Sequence, residues 1–165
     1  MQMNWYAPSY AWWEIFPEHP DQQIVSGLGV VPGDEIYADV SNNGSGGADF
    51  HMINDTLGEE VYFAEPLVGS TSGQSEWITE RPADDSSGAC SLPPLADLGT
   101  EVLGSAEAYA GAWQSLGNLA RAYDDIDNSS SCNTLLAYPS DLLDSGTAFP
   151  NIWVQSGSRV SVPCS

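Results

Sequence analysis

Apolar residues in this chain recur with a period of two. Behind the turn signal Pro32-Gly33-Asp34, the residues Ile36, Ala38 and Val40 alternate with Glu35, Tyr37 and Asp39. Successive side chains of a strand point to opposite faces, so this is the pattern of a half-buried strand, with Ile36, Ala38 and Val40 on the side expected to be covered. Residues 49–54 and 60–64 flank Asp55-Thr56-Leu57-Gly58 and read as a hairpin in which Val61 and Phe63 share a face. Further strands are expected over residues 10–16, 23–25, 75–79, 101–103, 120–126, 134–138 and 148–154, with Gly, Ser, Pro and Asp clusters between them. Many short strands joined by turn chemistry, without strand-helix alternation, predict an all-β fold, an antiparallel β-sandwich of two sheets. Residues 106–119 differ: Tyr109, Trp113 and Leu116 sit at near-helical spacing in an alanine-rich run. A short helix there competes with a loop or irregular strand, because Gly104, Gly111 and Gly117 interrupt the run and each interior glycine costs a helix about 1 kcal/mol.

The 165 residues suffice for one domain with its own core, so residues 1–155 are expected to form a single sandwich and 156–165 a carboxyl-terminal tail. Charge narrows the function. There are 23 Asp and Glu against 3 Lys and Arg, no lysine at all, and a net charge of −20. Phosphate backbones and anionic lipids are bound through Lys and Arg, so nucleic acid and membrane surfaces are excluded as partners. No run of about eighteen apolar residues is available to span a bilayer, and the amino end lacks a basic-then-apolar signal layout. Carboxyls lose their charge near pH 4, so mutual repulsion fades in acid and grows at neutrality. The expectation is a protein suited to acid; a halophile-like acidic surface is the competing explanation.

Candidate chemistry concentrates in Gln74-Ser75-Glu76-Trp77-Ile78-Thr79-Glu80-Arg81-Pro82. Strand alternation puts Glu76 and Ile78 on one face and Trp77 and Thr79 on the other. A carboxyl held against apolar neighbours loses hydration, which favours its neutral form and suits general acid-base work. An ordinary edge glutamate, or one paired with Arg81, would carry the same pattern. His19 and His51 stand apart from any Gly-x-Ser-x-Gly nucleophile motif and read as surface residues. Cys90, Cys132 and Cys164 lack the close spacing of a zinc site, so no metal is expected. Asn43, Asn54 and Asn128 each open an Asn-x-Ser/Thr glycosylation pattern, a short motif that often arises by chance.

The Ser-Glu-Trp-Ile-Thr-Glu-Arg-Pro run resembles the Glu-Trp-Ile-x-Glu signature of the glutamic peptidases, the eqolisins. Tyr10-Ala11-Trp12-Trp13-Glu14-Ile15-Phe16-Pro17 is similar to that family's aromatic segment, and Gly33-Asp34-Glu35-Ile36 to its Gly-Asp-x-Ile turn and strand. Residues 95–99, 137–140 and 146–149 resemble further family segments in the same order, so the likeness runs from about Trp5 to Trp153.

The resemblance implies a secreted, acid-active endopeptidase on an antiparallel β-sandwich, using a glutamate and a glutamine as a dyad, with polypeptide as partner and no cofactor. Glu76 matches the glutamate, and Tyr10, Trp12, Trp13 and Glu14 fall in the segment that contributes to substrate binding. Trp12 and Trp13 point to opposite faces, so one is expected in the core and the other along a groove. The matching glutamine would fall on a strand ahead of Met1. Gln2, Gln22, Gln23 and Gln74 are out of pattern, so the form written here is expected to lack the dyad partner. An inactive peptidase homologue and a lectin-like carbohydrate- or peptide-binding sandwich are the alternatives. In an oxidising exterior one disulfide is expected, Cys90–Cys132 first, in a monomeric protein.

Overall fold

A computed structural model describes residues 9–15, 17–67, 76–81, 91–109, 112–120, 122, 124–128 and 134–161. The chain divides into two compact units, residues 1–73 and 74–165. Every strand pairing is antiparallel, and no α-helix occurs among the described residues.

The first unit contains β1 (Tyr10–Ile15), β2 (His19–Gly29), β3 (Ile36–Asn42), β4 (Gly47–Asn54) and β5 (Glu59–Pro66). Strands β1 and β2 form one hairpin, and β3, β4 and β5 form a three-stranded sheet in that order. The register places Phe50 opposite Phe63 and Met52 opposite Val61, so these four side chains share a face, as the alternation predicts. The β1–β2 hairpin packs over that face. Ile15 and Trp13 meet Ala48, Phe50 and Phe63, while Val25 and Leu28 meet Met52 and Val61. Phe50 and Phe63 stack with centroids 4.9 Å apart and planes 6° from parallel, and Trp13 lies 5.6 Å from Phe50.

The apolar side of β3 is a correction. Ile36, Ala38 and Val40 lie opposite Asn54, Met52 and Phe50, on the core side of the sheet, yet all three are exposed, Val40 at 60%. The physical reason is position: β3 is the sheet's edge strand, and the hairpin covers β4 and β5 instead. The turn into β3 is fixed by polar contacts. Asp34 Oδ2 accepts from the Val31 amide at 2.9 Å and from Asn54 Nδ2 at 2.7 Å. Asn54 is fully buried, and its amide also donates to the Gly29 carbonyl and accepts from Leu57 N. The Asp after Gly therefore serves its turn, as such residues do by capping backbone amides.

The second unit has shorter strands: β6 (Ser91–Leu92), β7 (Thr100–Leu103), β8 (Glu107–Tyr109), β9 (Trp113–Ser115), β10 (Ile126–Asp127), β11 (Leu135–Pro139), β12 (Phe149–Trp153) and β13 (Val160–Ser161). A four-stranded sheet runs β10-β11-β12-β7, β6 pairs with β13, and β8 with β9. The alanine-rich run is thus a hairpin, β8–β9, with Tyr109 edge-on to Trp113 at 5.7 Å, followed by a single 3-10 turn at Leu116–Asn118 rather than an α-helix. Leu95, Leu136 and Ala137 form the core, with Ile126 and Trp153 against it. Residues 156–161 belong to this unit: Val160 and Ser161 pair with Leu92 and Ser91, and the Leu95 amide donates to the Ser156 carbonyl.

Candidate active site

Residues 76–81 are described but pair with no strand. Their exposure alternates: Glu76, Ile78 and Glu80 face outward, Trp77 and Thr79 are half-buried, and Arg81 is buried. The segment is held from its inner side. Thr79 Oγ1 donates to Glu101 Oε2 on β7 at 2.6 Å. The Arg81 guanidinium, 8% exposed, donates through Nε to the Pro93 carbonyl, through Nη2 to the carbonyls of Leu92 and Ser158, and through Nη1 to Asn128 Oδ1. Burial lowers its pKa below the usual value.

The alternation thus pairs the residues as expected, Glu76 with Ile78 and Trp77 with Thr79, but the Glu76 side is the wet one. Ile78 is 58% exposed and Glu76 is exposed as well, where the sequence pattern led to the expectation of a carboxyl held against apolar neighbours. Arg81 faces away from Glu76 and spends its donors on backbone carbonyls and an amide. Parity carried that signal, since positions 76 and 81 fall on opposite sides of an extended chain.

Tyr10, Trp12, Trp13 and Glu14 lie on β1 in the first unit. Tyr10, Trp12 and Glu14 share the exposed side, whereas Trp13 turns inward onto Phe50 and Phe63 and meets His19 edge-on at 5.6 Å. The Tyr10 hydroxyl donates to Gln22 Oε1 at 3.3 Å, and the Gln23 amide donates to the Asp21 carbonyl, so both glutamines are engaged within the β1–β2 hairpin. An open depression of about 230 Å³ is lined by Trp13, Ile24, Val25, Ser26, Val61, Phe63 and Glu65.

On the opposite side of the β3–β4–β5 sheet, His51 is not isolated: its Nε2 lies 2.7 Å from Glu60 Oε1, and its ring lies 5.7 Å from Tyr37 and 6.0 Å from Tyr62. The Tyr62 phenol is raised above its usual 10.0, first by its hydrogen bond to Asp49, then by burial and by the charges of Asp49 and Asp39.

The three sequons are structural residues. Asn43 Oδ1 accepts from Ser45 N and Gly47 N, Asn54 is fully buried, and the Asn128 amide is shared between Arg81, Ser158 N and Ser158 Oγ. A glycan on Asn54 could not coexist with its burial. Cys90, Cys132 and Cys164, Gln2 and Gln74 lie outside the described residues. Among the described residues no group of three or more His, Cys, Asp or Glu could hold a metal ion, and no helix is long and apolar enough to cross a membrane.

The profile of the Peptidase A4 family matches residues 4–142, across both units. The chain belongs to the Peptidase A4 family. The solved aspergilloglutamic peptidase from Aspergillus niger is similar over 88% of this chain and 79% of its own, with a TM-score of 0.65 and 23% identity. The likeness shows a shared fold, the antiparallel β-sandwich that the alternation predicts. No curated protein matches the chain. For a Peptidase A4 member the Glu76 segment and the β1 aromatic segment both fall inside the matched span.

Proposed function

We propose that this protein is an acid-active glutamic endopeptidase in which Glu76 is the general acid and base. The family match over residues 4–142 carries this reading. It is supported by a Glu76 side chain that points outward from a segment anchored on its other side by Thr79 and Arg81. The ionised Glu76 carboxylate takes a proton from a water whose oxygen attacks the scissile carbonyl carbon. The protonated carboxyl then returns that proton to the leaving nitrogen as the carbon–nitrogen bond breaks, releasing an acid and an amine. An amide donor to the developing oxyanion, a glutamine in the proposed dyad, would contribute about 3 to 4 kcal/mol to the barrier. Tyr10, Trp12 and Glu14 on the exposed side of β1 and Trp13 beside the depression are proposed to bind the peptide. A secreted monomer acting outside the cell accords with the lysine-free, acidic composition.

The test is digestion of a denatured polypeptide at about pH 3 to 4 by the full natural protein and by Glu76→Gln. Loss of a general acid-base group should cost about 10²- to 10⁴-fold in kcat. Equal cleavage by the two proteins would end the assignment.

A second reading, an inactive homologue that binds peptides, is favoured by the engagement of Gln22 and Gln23 within the β1–β2 hairpin. It predicts peptide binding without cleavage at any acid pH, unchanged in Glu76→Gln.

A further inference from the structure

We propose that Arg81 is a positioning residue for Glu76, acting as a side-chain clamp on the segment that carries it. The inference rests on the Glu76 reading above and assigns Arg81 no contact with substrate.

An extended segment in a sheet is normally located by its backbone hydrogen bonds. Residues 76–81 lie outside the named strands, and their inward side chains tie them to other parts of the unit. Trp77 is only half-buried, and Thr79 makes one bond to an exposed glutamate. Arg81 does far more. Its fork reaches the carbonyls of Leu92 and Pro93 beside β6, the Ser158 carbonyl just before β13, and Asn128 just after β10. Asn128 in turn accepts from Ser158 N at 3.0 Å and donates to Ser158 Oγ at 3.1 Å, closing the node.

The acceptors are all neutral. In a chain with 23 carboxylates and 3 basic residues, a buried arginine that bonds to carbonyls is selected for direction, not for neutralising charge. A planar guanidinium can point several fixed donors at carbonyls on separate segments; the single ammonium of a lysine cannot reproduce that geometry. Burial makes the arrangement decisive, because a guanidinium shut away from water has to keep these partners. Arg81 thereby fixes one end of a six-residue extended segment, and Glu76 stands at the other end. Displacing a reacting group by about 1 Å costs on the order of 10²-fold in rate.

The experiment compares Arg81→Ala and Arg81→Lys with the parent, all labelled with 5-fluorotryptophan, the Trp77 resonance being assigned by Trp77→Phe. In both variants the Trp77 fluorine signal should move toward its solvent-exposed position while that of Trp13, in the first unit, stays. Cleavage should fall about 10- to 100-fold in kcat with KM nearly unchanged. Added guanidinium should restore part of kcat to Arg81→Ala, which a general loss of stability would not allow. If Arg81→Ala does not fold, Arg81→Lys, which keeps charge and stem, bears the test alone. A folded variant with the parental Trp77 signal and kcat overturns the proposal. If the parent shows no Glu76-dependent cleavage, the peptidase reading has failed, and the Trp77 signal by itself decides whether Arg81 is the clamp.

Discussion

The two units use the same strand chemistry and are held in different ways. In residues 1–73 the ladder dominates: β4 pairs along its whole length with β5 and over seven residues with β3, and the stacked Phe50 and Phe63 fill the space beneath the hairpin. Among the described residues of 74–165 no strand exceeds five residues, the segment carrying Glu76 lies outside the named strands, and a buried arginine with an asparagine joins loops that the ladders leave apart. Backbone pairing locates a strand whatever its side chains are. Side-chain clamping makes position depend on one or two residues, and the candidate carboxylate sits on the clamped kind.

The largest difference should appear in the first core. Phe50→Ala removes a ring stacked on Phe63 at 4.9 Å and touching Trp13, and large-to-small changes of this type cost about 3 to 5 kcal/mol. Urea unfolding followed by circular dichroism should show that loss. A cost below about 1 kcal/mol would mean the aromatic core is not what stabilises the first unit.

Next in size is Gly157→Ala in the second unit. Its φ is +66, and an added Cβ would stand 2.5 Å from Asn128 Oδ1 and 2.7 Å from Leu136 Cδ2. The control is Gly58→Ala in the β4–β5 turn, with φ +69 and nothing within 4 Å. Both substitutions carry the left-handed penalty of about 1 to 2 kcal/mol. Only Gly157→Ala also pushes on the node that holds Arg81, so thermal melts should show it costing at least about 1 kcal/mol more. Equal costs would say that the second unit tolerates a loosened clamp, and the contrast between the units would dissolve.

The same contrast explains what could be read from the sequence. Alternation identified β3, β4 and β5, the shared face of Val61 and Phe63, and the core-versus-surface split of Trp13 and Trp12, because period two is a property of the local chain. It could not say that β3 is an edge, which left Ile36, Ala38 and Val40 exposed, since covering depends on where the hairpin lands. It paired Glu76 with Ile78 correctly and misjudged which side was dry. The Arg81 node was invisible for a stronger reason. Three of its acceptors are backbone carbonyls, which every residue carries, and they lie 11, 12 and 77 positions away. Asn128 showed only as a sequon.

The smallest effect tests whether side-chain contacts in the first unit also bear on its stability. Tyr62 is 64% exposed, and its phenol donates to Asp49, the first cause of a pKa raised above 10.0, with burial and the charges of Asp49 and Asp39 adding to it. A raised folded value means the neutral phenol is the favoured form. The contribution is therefore complete below about pH 10 and disappears as pH rises through the folded pKa. Tyrosinate absorbance should show a late-titrating component among the seven tyrosines that Tyr62→Phe removes and Asp49→Asn moves to lower pH. At neutral pH Tyr62→Phe should leave the urea midpoint where it is, because an exposed hydrogen bond exchanges readily with water. A clear fall in that midpoint would place a clamp in the first unit as well, and the division between ladder-held and clamp-held halves would no longer stand.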